Sequence, residues 1–118
     1  MPGAGFSVSV LGSRQTEEGV VDTPYAFVAP IEAKPERADD VAALLTGAVS
    51  LAEAEPGTVD WYAARTSPTT FWIFDTFGSE DARQAHINGE IAAALMAQSD
   101  ELLAGPPEIL AADVLASK

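Results

Sequence analysis

The stretch of the chain that decides the fold reads FWIFDTFGSEDARQAHINGE and covers residues 71–90. Its first seven residues are mainly aromatic or β-branched and alternate at period two, which is typical of a strand covered on both faces. Ser79 can cap a helix, and the two acidic residues after it complement the positive end of the helix dipole. Asn88-Gly89 is a plausible left-handed helix stop. The stretch therefore predicts a buried strand and a short capped helix, with the single histidine, His86, near the helix end.

The composition limits the classes of function that the protein can have. The chain has 118 residues, enough for one domain, and a net charge of −12 from six basic and eighteen acidic residues. Such a charge repels nucleic-acid phosphates and anionic lipid surfaces, so neither nucleic acid nor a membrane is an expected partner, and the acidity is interpreted as a solvated surface. The absence of cysteine excludes disulfides and thiolate chemistry. The start of the chain lacks a basic segment, and its apolar run over residues 6–11 is short, so we predict a cytoplasmic protein.

Hydrophobic periodicity predicts further elements on both sides of the opening stretch. In chain order they are a strand over residues 25–33, an amphipathic helix over residues 37–55, a strand over residues 58–65, a helix over residues 90–103 and a strand over residues 108–116. Pro30 lacks an amide donor, which favours an edge or a bulge in the first strand. Residues 1–23 are predicted to be an added N-terminal arm, and residues 24–118 the domain.

This order of elements is the split βαβ pattern, whose natural solution is a four-stranded antiparallel sheet with helices on one face. We therefore predict an α+β protein of ferredoxin-like fold. The predicted strands carry apolar residues on both sides, so the face without helices needs a cover. A twofold homodimer that packs sheet against sheet would supply that cover.

Four short motifs in the order and on the elements described above resemble a known family. They are Lys34-Pro35, Ala54-Glu55-Pro56-Gly57, Phe77-Gly78-Ser79-Glu80-Asp81 leading to Ala85-His86, and Leu102-Leu103-Ala104-Gly105-Pro106-Pro107. The chain resembles the antibiotic biosynthesis monooxygenases over residues 25–116. These are small dimeric α+β barrels that include cofactor-independent quinol monooxygenases.

The resemblance implies a ligand site between the helices and the sheet, with His86 on a matching pocket position. A histidine of ordinary pKa can accept a phenolic proton at neutral pH, and the resulting electron-rich anion can pass an electron to dioxygen. Haem-degrading relatives carry their iron-binding histidine about ten residues further along, where this chain has Leu95 and Met96. The resemblance therefore implies no haem, and we expect no cofactor.

The strand over residues 58–65 and the opening strand are joined by a short connection, so we predict that they form a β-hairpin. Its aromatic residues could stack a planar ring, and Trp61, Trp72 and Phe74 are the candidates. Period two sends neighbouring side chains to opposite faces, so at most half of these aromatics can line one cavity and the rest would lie in the dimer interface. His86 has a second interpretation as a surface residue or as a cation at the helix end.

Two polar residues near the histidine also have alternative roles. Asp75 lies in a buried strand and needs a partner, which could be Arg65, Arg83 or His86. That pairing could be structural, or Asp75 could orient His86. Asn88 could be only the helix stop, or a donor at the mouth of the cavity.

The sequence thus predicts a monooxygenase-like enzyme that oxidises a small aromatic or quinol with dioxygen, using His86 as catalytic base. Trp61, Trp72, Phe74, Asp75 and Asn88 are its expected substrate-binding residues. The alternative is a non-catalytic dimer that binds a small ligand, or an isomerase-type enzyme on the same fold. No metal site is expected, because one histidine and no cysteine leave only carboxylates, whose adjacent pairs do not converge.

Overall fold

The computed structural model describes residues 21–118. The strands are β1 (Tyr25–Glu32), β2 (Thr58–Arg65), β3 (Thr70–Phe77) and β4 (Leu110–Asp113). The helices are a 3-10 turn (Pro35–Arg37), α1 (Ala38–Gly47), α2 (Val49–Glu53), α3 (Glu80–Ile87) and α4 (Glu90–Leu102). Most of the predicted N-terminal arm, including its apolar run, lies outside the described residues.

The four strands form one antiparallel sheet in the order β2-β3-β1-β4. With the intervening helices, this order confirms the predicted ferredoxin-like α+β fold. The β2–β3 hairpin has the bounds that the sequence predicts, whereas the last strand is shorter than expected and pairs only through residues 110–113.

Pro30 lies in a central strand, yet its missing amide costs no ladder hydrogen bond. The Ala33 amide donates to Thr69 O, and amides alternate sides along a strand, so the odd-numbered residues of β1 point theirs towards β3. Pro30 faces the other side, where β4 pairs only with Tyr25 to Val28. The expectation of an edge or a bulge is therefore wrong for β1, which is a central strand, but Pro30 lies in a local gap between Val28 and the Ala104 N to Glu32 O hydrogen bond.

The first predicted helix is divided into two pieces, α1 and α2, and is preceded by the 3-10 turn. Pro35 is tolerated at the start of this turn, where a backbone amide would have no partner. Between α1 and α2, the amide of Ala48 is shared between Leu44 O and Leu45 O, which tightens the backbone at that point. Val41 and Leu45 are among the buried residues of the resulting apolar stripe.

The two faces of the sheet differ in their covering. The inner face, which carries the helices, buries alternate residues of β3 beginning with Phe71 and Ile73. The other side has an aromatic outer face with four large exposed side chains. They are Tyr62 at 61% exposure, Trp72 and Phe74 at 38%, and Leu110 at 47%. Among the described residues, none of the helices has the length and apolar character needed to cross a membrane.

The cap of α3 and the position of its end are as predicted, but the conformation of the stop is not. The Ala82 amide donates to Ser79 Oγ over 3.1 Å, and the helix ends at Ile87 with Asn88 as its C-cap. Asn88 has φ −96° and Gly89 has φ −93°, so neither residue is left-handed as predicted. Because α4 begins directly after Gly89, the chain continues in right-handed or extended conformations rather than reversing.

Gly57 is required by a close approach between the turn before β2 and helix α3. A Cβ at this position would lie 2.7 Å from the Cβ of Ala82. We expect Gly57→Ala to lower the free energy of unfolding by about 1–3 kcal/mol, because the short Ala82 side chain cannot move aside without its helix. Urea denaturation measures the change.

Gly47 provides the matched control. A Cβ there meets nothing within 4 Å, and the residue ends α1. We expect Gly47→Ala to be neutral or to stabilise by up to about 1 kcal/mol through helix propensity. Equal effects of the two substitutions would contradict the steric explanation.

Candidate functional site

His86 lies between two carboxylates. It projects from α3 into the space under the sheet and is buried, with 7% of its surface exposed. Its Nδ1 is 2.6 Å from Glu55 Oε1, and its Nε2 is 2.9 Å from Asp75 Oδ2. Because ionised carboxylates accept hydrogen bonds and cannot donate them, both ring nitrogens act as donors. The arrangement is therefore a carboxylate–imidazolium–carboxylate cluster.

Each member of this Glu55–His86–Asp75 cluster comes from a different part of the fold. Glu55 stands in the turn between α2 and β2, where Thr58 Oγ1 donates to the same Oε1 over 2.7 Å. Asp75 lies on the inner face of β3 and is 1% exposed. A Cβ on Gly89 would lie 3.0 Å from Glu55 Oε2, so the glycine leaves room for that carboxylate.

The electrostatics favour the charged form of the histidine. Burial alone would lower the pKa of His86, but the hydrogen bonds that its ring donates to Asp75 and Glu55, together with the negative charges of these carboxylates, raise the pKa above the ordinary value of 6.5. The rings of Phe27 and Phe77 lie beside the imidazole, with centroids 6.3 and 5.1 Å away. These rings exclude water from the imidazole, which strengthens the ion pairs.

Two cavities are lined by His86, and a third shares wall residues with them. A small cavity of about 30 Å³ is lined by Asp75, His86 and Trp61, among others. A larger apolar cavity of about 330 Å³ lies between α1, α2, α4 and the sheet. These two share Ile73, Ile91 and Leu95 as wall residues. On the other side of His86, a cleft of about 340 Å³ is lined by Glu55, Thr58 and residues of α3.

The structure brings some of the predicted site residues together. Trp61 and Asp75 are direct partners across the β2–β3 ladder, and both line the small cavity with His86. Of the three partners considered for Asp75, His86 is the one within ion-pair distance; Arg65 and Arg83 pair with other carboxylates.

The other predicted site residues lie elsewhere. Trp72 and Phe74 belong to the aromatic outer face, so the sheet separates them from His86. The indole of Trp72 donates to Thr66 Oγ1 over 3.2 Å. Asn88 is exposed, and its amide donates to Gln84 O over 3.0 Å, which satisfies a carbonyl near the end of α3.

Glu55 was not among the predicted site residues. It was interpreted as the last residue of the predicted helix, before Pro56, although it belongs to a motif that carried the family resemblance. The available signal was a carboxylate placed just before a strand that pairs with the strand of Asp75. Within residues 21–118, no group of three or more acidic or histidine side chains is arranged to hold a metal ion.

The fold and the site together define a class: small α+β proteins of ferredoxin-like topology, with a buried titratable cluster beside an apolar cavity between helices and sheet. The family model described as antibiotic biosynthesis monooxygenase matches residues 24–98. The chain belongs to the antibiotic biosynthesis monooxygenase family.

Three solved structures have a similar fold. The NE2512 protein of Nitrosomonas europaea, described as being of unknown function, is 46% identical; the match covers 82% of this chain and 94% of that one, with a TM-score of 0.80. PA3566 from Pseudomonas aeruginosa is 24% identical over 83% of this chain and 100% of its own, with a TM-score of 0.69. Rv0793 from Mycobacterium tuberculosis is 22% identical over 80% of this chain and 98% of its own, with a TM-score of 0.71. The last two show the fold alone. Among curated proteins, no match is found.

Proposed function

We propose that the protein is a cofactor-independent monooxygenase that oxidises a small hydroxylated aromatic, such as a quinol, with dioxygen. The observation that carries this proposal is the Glu55–His86–Asp75 cluster, whose His86 and Asp75 line a small cavity that shares three wall residues with a larger apolar pocket. Buried titratable groups with a specific charge partner beside a cavity are typical of sites that move protons.

The cluster suggests how the substrate loses its proton. Both nitrogens of His86 already donate to carboxylates, so His86 acts one step behind Asp75 rather than touching the substrate. A phenolic proton passes to Asp75, and the imidazolium stays between the two carboxyl groups. The total charge of site and ligand is unchanged by this transfer, which limits its cost in a buried environment.

The aromatic anion then supplies the electrons. It passes an electron to dioxygen, and the two radicals combine so that a C–O bond joins a ring carbon to a peroxide group. Asp75 returns its proton to the outer peroxide oxygen. The O–O bond then breaks as the same ring carbon loses its hydrogen as a proton, which releases water and leaves a quinone. The oxidised ring provides every electron that dioxygen takes up, so the balance needs no external reductant.

We also propose a homodimer formed through the aromatic outer face. Exposed apolar patches of this kind are unusual on a monomer, and twofold packing of two such faces would cover them. In this arrangement Trp72 and Phe74 contact the second subunit, while Trp61 and Asp75 serve the ligand. A cytoplasmic location stays a prediction.

Oxygen consumption tests the catalytic proposal. We expect the wild type to consume oxygen with at least one member of a hydroquinone panel. His86→Ala should be slower by about 100-fold or more, the usual contribution of a general base, because Asp75 loses the cation that holds its carboxylate in place. Gln84→Ala, an exposed change on the same helix, is the matched control. Circular dichroism checks that each variant is folded. Glu55→Gln is a second test variant, because it removes one charge of the cluster and keeps the side-chain shape. Oxygen uptake that is alike in wild type and His86→Ala would refute the proposal.

The ligand-binding alternative rests on the large cavity, whose lining is almost entirely aliphatic. Calorimetry on the same hydroquinone panel distinguishes it from catalysis. Binding without oxygen uptake would favour a carrier, and a changed proton position in the recovered ligand, seen by NMR in deuterated water, would favour an isomerase.

A further inference from the structure

Two buried polar atoms on the neighbouring strands β2 and β3 have no hydrogen-bond partner. They are Asp75 Oδ1 and Trp61 Nε1, and among residues 21–118 no protein group pairs with either. Trp61 and Asp75 are directly opposite across the β2–β3 ladder, and both line the small cavity. Native proteins rarely leave such atoms unpaired, and each exception calls for an explanation, such as a catalytic role or a bound water or ion.

The chemistry of the two atoms restricts what can satisfy both. A carboxylate oxygen only accepts hydrogen bonds, and an indole nitrogen only donates them. The complementary group must accept from Trp61 and donate to Asp75 at the same time. A hydroxyl does both, whereas a ketone or ether oxygen serves Trp61 alone and an ammonium group serves Asp75 alone.

The cavity has the size for one such oxygen. Its volume is about 30 Å³, which holds a single water-sized group and excludes a ring. The apolar cavity of about 330 Å³ shares Ile73, Ile91 and Leu95 with it and can take the ring. A ligand that occupies both cavities would place its ring in the large one and pass one substituent between these shared side chains to Trp61 and Asp75.

We propose that Trp61 Nε1 and Asp75 Oδ1 form a subsite for one ligand hydroxyl and thereby select hydroxylated rings over their methyl ethers and unsubstituted parents. Trp61 is then a specificity-determining residue that holds the oxygen, and Asp75 receives the hydroxyl hydrogen. That this ligand is also the substrate rests on the proposed function; the hydroxyl preference itself does not.

Binding of 1-naphthol, 1-methoxynaphthalene and naphthalene without oxygen tests the subsite. We expect the wild type to bind 1-naphthol at least about 5-fold more tightly than either other compound, since two hydrogen bonds are made. Trp61→Phe keeps an aromatic ring but removes the donor, so its affinity for 1-naphthol should fall by about 3- to 10-fold while that for naphthalene stays unchanged.

The indole resonances give a direct readout in ¹⁵N-labelled protein. The chain has two tryptophans, so Trp72→Phe, a change on the outer face, leaves a single indole signal from Trp61. In this variant 1-naphthol should move the indole proton downfield, as formation of a hydrogen bond does, and naphthalene should not.

The outcomes separate this proposal from the proposed function. Equal affinity of the wild type for 1-naphthol and naphthalene, or an equal loss for both in Trp61→Phe, would overturn the hydroxyl subsite. Hydroxyl selectivity that is lost in Trp61→Phe supports it, even if no hydroquinone causes oxygen uptake, which would overturn only the oxygenase.

Discussion

His86→Ala is expected to lower the free energy of unfolding by about 3–5 kcal/mol near neutral pH, the usual cost of removing one partner from a buried ion pair. The substitution leaves the carboxyl groups of Asp75 and Glu55 without the cation between them, and Asp75 is 1% exposed. Urea denaturation of wild type and variant measures the loss.

The pH dependence of this loss identifies its origin. The pKa of His86 is raised in the folded protein above its ordinary value of 6.5, so the folded state binds the proton more tightly than the unfolded one. The contribution is complete below about pH 6.5 and is lost as the pH rises through the folded pKa, by at most about 1.4 kcal/mol per pH unit. The gap between wild type and His86→Ala should therefore shrink at alkaline pH.

Gln84→Ala again serves as the control, and we expect a change within about 0.5 kcal/mol with no pH dependence of the difference. A gap between wild type and His86→Ala that stays constant through alkaline pH would mean that the loss comes from packing against Phe27 and Phe77. The ion-pair explanation would then be wrong.

The double substitution Tyr62→Glu with Phe74→Glu is expected to convert a dimer into a monomer. The two residues are partners across the β2–β3 ladder on the aromatic outer face. Both are partly exposed in the single chain, so its folding should change little, whereas a twofold interface would bury four unpaired carboxylates. We expect the dissociation constant to rise by about 100-fold or more, since burial of unpaired charge is costly.

Sedimentation velocity at micromolar concentration tests this prediction, and the wild type should sediment at twice the mass of the chain. Met96→Glu is the matched control, because Met96 is 56% exposed on α4, on the opposite side of the sheet. A wild type that sediments as a monomer would contradict the dimer, and a Met96→Glu monomer would place the interface on the helices.

The features that sequence predicted well are local ones. Period-two alternation gave the β2–β3 hairpin, and the short-range pairing of Ser79 with Ala82 gave the start of α3. Alternation also predicted that the aromatic residues would be divided between the two faces of the sheet. It could not predict which face the helices cover, because it sorts residues into two sets without assigning either set to the core.

The site depends on contacts that are remote in sequence. Glu55 and His86 are 31 residues apart, and their contact depends on how the turn before β2 packs against α3. The sequence could name His86 as one of three partners for Asp75, since each carries a suitable charge. It could not show that both ring nitrogens would be engaged, and this changes the proposed role of His86 from direct base to the group behind Asp75.

Pro30 has a consequence for the solubility of the protein. On the side of β1 away from β3, pairing stops at Val28 and resumes at Glu32, whose carbonyl accepts from the Ala104 amide. Unpaired stretches of strand invite pairing with other chains and aggregation. Pro30 lies in this gap and removes a donor there, so an incoming strand would find the ladder interrupted. The residue thus protects a gap beside a central strand without disturbing the sheet that holds Asp75.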